Sequence, residues 1–244
     1  MPEIITSGPW AIPVLYEDNH LLAVEKPPNL PVQADRSGDD DLLSILKRYI
    51  GHKYQKPGAV YLGLVHRLDR PVGGAMVFAR TSKAASRLSA AFAGHEQDKR
   101  YLAVLQGALD GPRRLEDWLL KDASTGNVRA VSPETPGAKR ALLETRPLGR
   151  RDGLTLAEVR LFTGRAHQIR VQHARAGLPL WGDARYGGGK PGQQIALWAA
   201  RLTLEHPVRR VPLALFSRPP LRGAWAKFEH EIEEWFADEQ QRQG

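Results

Sequence analysis

The stretch His66-Arg67-Leu68-Asp69-Arg70-Pro71-Val72-Gly73-Gly74-Ala75-Met76-Val77-Phe78-Ala79-Arg80 organises the reading of this chain. It sets an aspartate between arginines on a bend rich in proline and glycine, and the bend opens into an apolar run of strand type. A carboxylate beside cations stays ionised well below neutral pH. On a turn next to flexible glycines it can approach a bound molecule closely. Asp69 therefore reads as a nucleophile or an electrostatic stabiliser, against the competing reading of an ion pair with Arg67 or Arg70 at a turn.

Upstream of this stretch, residues 1–13 read as an N-terminal tail, and Ile12 to Leu15 and His20 to Val24 as short strands. Lys26-Pro27-Pro28 ends the second strand, because proline lacks a donor and restricts the residue before it. Gly38 to Asp41 offers caps for a helix from Leu42 to Ile50. Downstream, Ser82 is expected to cap a helix with Ala85, Leu88 and Phe92 as its stripe, stopped by Gly94. Arg100 to Gln106 reads as a strand, and residues 110–140, rich in Gly, Pro, Arg and Lys, as a long surface excursion. A strand from Leu154 to Phe162 leads into a helix from Arg165 to Ala176. Strands from Ile195 to Leu204 and Val211 to Leu215 follow, then a last helix with Trp225, Phe228, Ile232 and Trp235 on one stripe. Strands and helices in irregular order predict an α+β fold with a mixed sheet. Without a repeat or linker, residues 14–244 read as a single domain.

The 244 residues carry a formal charge of +8, with 42% hydrophobic and 25% charged side chains. That composition is ordinary for a globular protein, and the positive balance favours polyanionic partners. There is no cysteine, which excludes disulfides, thiolate chemistry and cysteine-ligated zinc. The amino terminus lacks the pattern of a secretory signal, and no stretch approaches the ~18 consecutive apolar residues of a membrane span. The expectation is a soluble, cytoplasmic protein.

A second segment with chemical potential is Thr163-Gly164-Arg165-Ala166-His167-Gln168-Ile169-Arg170-Val171-Gln172-His173. On the expected helix, Ala166, Ile169, His173 and Ala176 form the inward stripe, while His167 and Arg170 share a neighbouring face able to present a cation to a cleft or simply to water. The six-residue spacing of His167 and His173 suits a metal poorly. Tyr101, at the head of a strand, reads either as packing or as a ring that stacks on a base.

Taken together these segments closely resemble the RluA family of RNA pseudouridine synthases, from about Val14 to Phe216. The resemblance rests on an ordered set: Val14-Leu15-Tyr16-Glu17-Asp18 leading to Glu25-Lys26-Pro27; His66-Arg67-Leu68-Asp69; Lys99-Arg100-Tyr101-Leu102-Ala103; Gly164-Arg165-Ala166-His167-Gln168-Ile169-Arg170; and Gly182-Asp183-Ala184-Arg185-Tyr186-Gly187. It implies a largely antiparallel mixed sheet with flanking helices and a central active-site cleft. It also implies isomerisation of uridine in ribosomal or transfer RNA, by a monomer using neither metal nor organic cofactor. By the same resemblance Asp69 is the catalytic aspartate, Tyr101 packs on the target base, Arg170 pairs with the catalytic carboxylate, and Arg67 enters the RNA stack as the nucleotide flips out. His66, Arg165 and His167 are the accompanying RNA-binding candidates. No separate N-terminal RNA-binding domain is expected.

Two departures stand out. Val72-Gly73-Gly74 replaces the usual Thr-Ser-Gly, and Leu197-Trp198-Ala199 replaces Leu-His-Ala. The lost hydroxyls motivate an alternative reading, a catalytically silent RNA-binding or chaperone protein on the same scaffold. A metal-assisted phosphodiesterase using the histidines and Asp69 is a third.

Overall fold

The computed structural model describes residues 3–35, 38–190 and 192–242. Along the chain run β1 (Ile4–Ser7), β2 (Trp10–Glu17), β3 (Leu21–Lys26), α1 (Leu42–Lys53), β4 (Gly63–Leu64), β5 (Gly73–Ala79), α2 (Ser82–Gly94), β6 (Asp98–Gln106), β7 (Arg113–Lys121), β8 (Val128–Val131), β9 (Lys139–Arg151), β10 (Leu154–Leu161), α3 (Gln168–Arg175), β11 (Leu197–Glu205), β12 (Pro212–Phe216) and α4 (Glu229–Gln241). The fold is α+β. It divides into two compact units, residues 1–100 with 198–218, and residues 101–197 with 219–244.

In the first unit the strand order is β1-β2-β3-β5-β11, with β4 on β5 and β12 on β11. Every residue of β5 is buried, which is why its sequence is continuously apolar rather than alternating. It pairs antiparallel with β3, Lys26 opposite Gly74, and parallel with β11, where Trp198 faces Gly73 and Ala199 faces Gly74. Leu21, Ala23, Ala75, Val77, Leu202 and Leu215 form a core that Ala84 and Leu88 of α2 complete. α1 is capped as expected, the Asp41 carboxylate accepting from the Ser44 N–H. α2 starts one residue earlier than its serine suggests. Thr81 is the cap, accepting from the Ala84 N–H, and His95 in the left-handed region, not Gly94, closes the helix.

The expected tail is instead structured from Glu3 onward. β1 and β2 form an antiparallel hairpin around Gly8-Pro9, with Ile5 opposite Ile12 and both buried. Burial of that isoleucine pair gives the segment a reason to order that its short length conceals.

In the second unit the order is β6-β10-β9-β7-β8. The expected surface excursion at 110–140 is therefore also corrected, since it supplies β7, β8 and the start of β9, all antiparallel. Leu119 and Val128 are buried with Ala141 against Val171 of α3, while Arg113, Arg114, Lys121 and Arg129 are exposed. The Gly- and Pro-rich composition belongs to the turns. α4 follows a 3-10 turn at Gly223–Phe228, and Trp225, Phe228, Ile232 and Trp235 are buried, as the stripe predicts.

At Gly74 the backbones of two strands of the first unit meet. The glycine's φ is +124°, and a Cβ there would lie 2.4 Å from the Ala199 carbonyl oxygen and 2.6 Å from the Ala199 nitrogen. Both a strained backbone and a clash with another backbone oppose any side chain. Gly74→Ala is expected to lower unfolding free energy by about 2–4 kcal/mol in denaturant titration.

Candidate active site

In the first unit Asp69 sits half-buried on the loop between β4 and β5. Its carbonyl accepts the Val72 N–H at 3.0 Å, closing a turn immediately before β5. The next carbonyl, that of Arg70, is held from two directions, by the Asn29 N–H at 2.8 Å and the Lys26 ammonium at 3.0 Å. Lys26 is fully buried and also donates to the carbonyls of Pro27 at 2.9 Å and Leu30 at 2.8 Å. Its three N–H donors thus satisfy three backbone oxygens around the proline turn. Burial pushes Lys26 down to about 7, against the pull of the Asp69 carboxylate.

The arginine after Asp69 has other business. Arg70 donates through Nε to the Asn29 carbonyl at 3.1 Å, and its guanidinium pairs with Asp39 and, at 3.6 Å, with Asp35. Arg67 is exposed two residues before Asp69. His66 does not serve as a cation. Its Nε2 accepts the Val77 N–H at 3.0 Å, and its ring stacks on Phe92 of α2, with centroids 4.5 Å apart. Burial, helped by Lys99, pushes it down to about 3, so the ring is neutral at physiological pH and pins the start of the Asp69 loop to β5 and α2.

In the second unit Arg170 projects from α3 and is buried. Asp183 grips it in a two-point fork, Nε to Oδ2 at 2.9 Å and Nη2 to Oδ1 at 2.7 Å. Asp183 also accepts the N–H groups of Arg185 at 3.0 Å and Tyr186 at 3.2 Å. Burial opposes this carboxylate's charge, but the guanidinium and the two backbone donors outweigh it and hold the carboxyl below its ordinary range. The Tyr186 ring lies 5.2 Å from the guanidinium carbon, so a ring and a carboxylate together fix Arg170. The Tyr186 hydroxyl accepts the Val128 N–H at 3.0 Å and pairs with His167 Nδ1 at 2.7 Å. Tyr101 is half-buried on β6, just ahead of the buried run Leu102 to Leu105.

The basic helix face expected from sequence is rearranged. α3 begins only at Gln168, with His167 ahead of it at φ +52°, so Arg165 and His167 belong to the approach and not to the helix. Arg165 donates through Nε to the Arg140 carbonyl at 2.8 Å. Residues 168–173 are all buried, so no solvated face exists there. His173 is pushed down to about 4 by burial and bonds the Ile169 carbonyl at 2.8 Å.

Two supporting residues, Asp183 and Lys26, lie in motifs that carry the resemblance but had no assigned role. Asp183 had a faint signal, a lone acid bracketed by Gly182 and Gly187 near basic residues. Lys26 had a clearer one, a lysine ending an apolar strand just before two prolines, where backbone oxygens lack donors.

The family model for RNA pseudouridylate synthase matches residues 20–175, a span that includes Asp69, Tyr101 and Arg170. The chain belongs to this family. This pseudouridine synthase is 33% identical over 228 residues to ribosomal large subunit pseudouridine synthase D of Zymomonas mobilis, an alignment covering 85% of this chain and 70% of the relative. It is 28% identical over 235 residues to tRNA pseudouridine synthase C of Vibrio cholerae, covering 87% and 92% respectively. The fold matches human RNA pseudouridylate synthase domain containing 4, with a TM-score of 0.72 at 21% identity over 90% of this chain and 92% of that one. The RluA-type motifs and the isomerase activity they imply are thus supported by sequence kinship, and the α+β fold by structural similarity.

Two measurements test the supports of this pseudouridine synthase. Asp183→Ala strands a buried guanidinium and is expected to cost about 3–5 kcal/mol of stability by chemical denaturation. Lys26 has a folded pKa below its unfolded value, so the unfolded state binds the extra proton between about 7 and the ordinary lysine range. The stability of the parent relative to Lys26→Met should therefore rise as pH is raised from 7 towards 10; a flat difference would exclude the titration.

Proposed function

We propose that this enzyme isomerises a uridine within ribosomal or transfer RNA, acting as a cytoplasmic monomer without metal or organic cofactor, with Asp69 as its catalytic carboxylate. The observation that carries the assignment is the anchoring of the Asp69 loop. The Val72 N–H closes a turn on Asp69 itself, while Lys26 and Asn29 hold the following carbonyl. Such fixing before substrate arrives is what electrostatic catalysis requires. The ribosomal and transfer RNA names of the two relatives support the substrate class.

In this reading the bond from ribose to a ring nitrogen breaks and positive charge develops on the sugar. The Asp69 carboxylate stabilises or traps that charge while the uracil turns; a carbon–carbon glycosidic bond replaces the one lost, the proton on that ring carbon leaves, and the freed ring nitrogen takes one up. Tyr101 lies against the base and keeps it from escaping. Arg170, whose guanidinium is oriented within its own unit by Asp183 and Tyr186, takes in this reading the role that the resemblance gives it, the basic partner of the catalytic carboxylate. Arg67 takes the place of the extruded nucleotide in the stack, and Arg165 and His167 face the RNA backbone. His66 acts on the RNA only through the loop it braces.

Asp69→Asn should abolish pseudouridine formation in RNA treated with purified protein while leaving most of the RNA affinity. Turnover equal to that of the parent would reject Asp69. Mapping pseudouridines in cellular RNA with and without the protein would identify the target, and their complete persistence in ribosomal and transfer RNA would reject the substrate class.

A further inference from the structure

Gly73 and Gly74 are glycines for different reasons. At Gly74 the backbone requires it. Gly73 has no positive φ, yet a Cβ there would fall 2.2 Å from Cζ3, 2.7 Å from Cη2 and 2.8 Å from Cε3 of Trp198. The indole occupies the volume that a side chain at 73 would need. Trp198 is buried, and its N–H is shared between the Ser217 hydroxyl at 2.9 Å and carbonyl at 3.1 Å. Ser217, buried in turn, donates its hydroxyl proton to Glu25 Oε2 at 2.7 Å. Glu25 precedes Lys26, the residue that holds the Arg70 carbonyl. The start of β5 is thus set by Lys26 on one flank and by an indole tethered to β3 through Ser217 on the other.

We propose that Trp198 is a positioning residue for Asp69, its indole fixing the height at which β5 begins over Gly73 and, through the Asp69–Val72 turn, the reach of the carboxylate. This inference rests on the reading of Asp69 given above. The two residues form one unit of volume, so a side chain at 73 and an indole at 198 exclude each other. Trp198 is buried and acts through the Asp69–Val72 turn, so the effect falls on the chemical step and not on RNA capture.

The test compares Gly73→Ala, Trp198→Leu, the double variant and Asp69→Asn, by single-turnover rate, RNA affinity and thermal unfolding. Leucine has no atoms where the outer indole ring lies, so it admits the methyl at 73. Each single variant should stay folded, bind RNA within about twofold of the parent and lose up to about 10²-fold in rate, the scale expected for a misplaced group. The double variant should recover at least about tenfold over the slower single variant, since the methyl fills part of the vacated volume. Trp198→Phe, which keeps a ring but loses the donor to Ser217, should fall between parent and Trp198→Leu and covers the case in which Trp198→Leu fails to fold. Parent-like rates in Trp198→Leu or Trp198→Phe, or a double variant whose loss is the product of the two singles, would overturn the proposal while an inactive Asp69→Asn left the catalytic assignment intact. An active Asp69→Asn would overturn both.

Discussion

The close passage of β5 between β3 and β11 is the constraint on which the first unit depends. At that point three strands approach with no side chain to separate them at Gly74, and a backbone at φ +124° delivers the chain from the Asp69 turn into the buried strand. Two of the side chains that order the loop act close to this crossing. Lys26 faces Gly74 across the ladder and grips the Arg70 carbonyl, and His66 receives an N–H from the middle of β5. A loop with glycines would ordinarily be mobile. Here its flexibility is confined to the positions where the geometry needs it, and the rest is tied to the sheet.

The second unit solves a different problem, that of keeping a buried guanidinium charged. Removing an arginine from water is unfavourable unless its donors are met. Asp183 meets two of them, and its own remaining capacity is taken by backbone N–H groups. The loop from Gly182 to Gly187 is therefore shaped by the needs of one carboxylate. The charge pattern that in sequence looked like a basic surface is, in its central residue, an internal fixture.

What the sequence disclosed, and what it hid, follow from the same physics. The β5 run was legible because a strand covered on both faces has no polar positions to disguise it. The Asp41 cap was legible because a cap is a local event, and α4 because Phe228, Ile232 and Trp235 recur at helical spacing. α3 misled because a helix covered on all sides cannot be amphipathic. Its polar residues are buried with partners outside the helix, Gln172 with Asp117 of the distant β7 and Gln168 with Thr163 just ahead of α3. Likewise Ser82 outshone Thr81 as a cap, although only the residue that keeps an extended backbone can turn its oxygen onto a free N–H of the first turn, here that of Ala84. Residues 110–140 were obscured by averaging, since turn residues dominate their composition while Leu119 and Val128 carry the burial. The roles of Asp69, Tyr101 and Arg170 came from motif kinship, because no local rule distinguishes a catalytic aspartate from one in an ion pair.

The outermost strands have a consequence of their own. The first unit's strand order begins with β1 and the second's finishes with β8, each only four residues long. An open border that brief presents few unpaired amides for a neighbouring molecule to zip onto, and exposed Arg129 adds repulsion between like copies at the second. Borders this short leave a second copy of the chain little backbone to pair with.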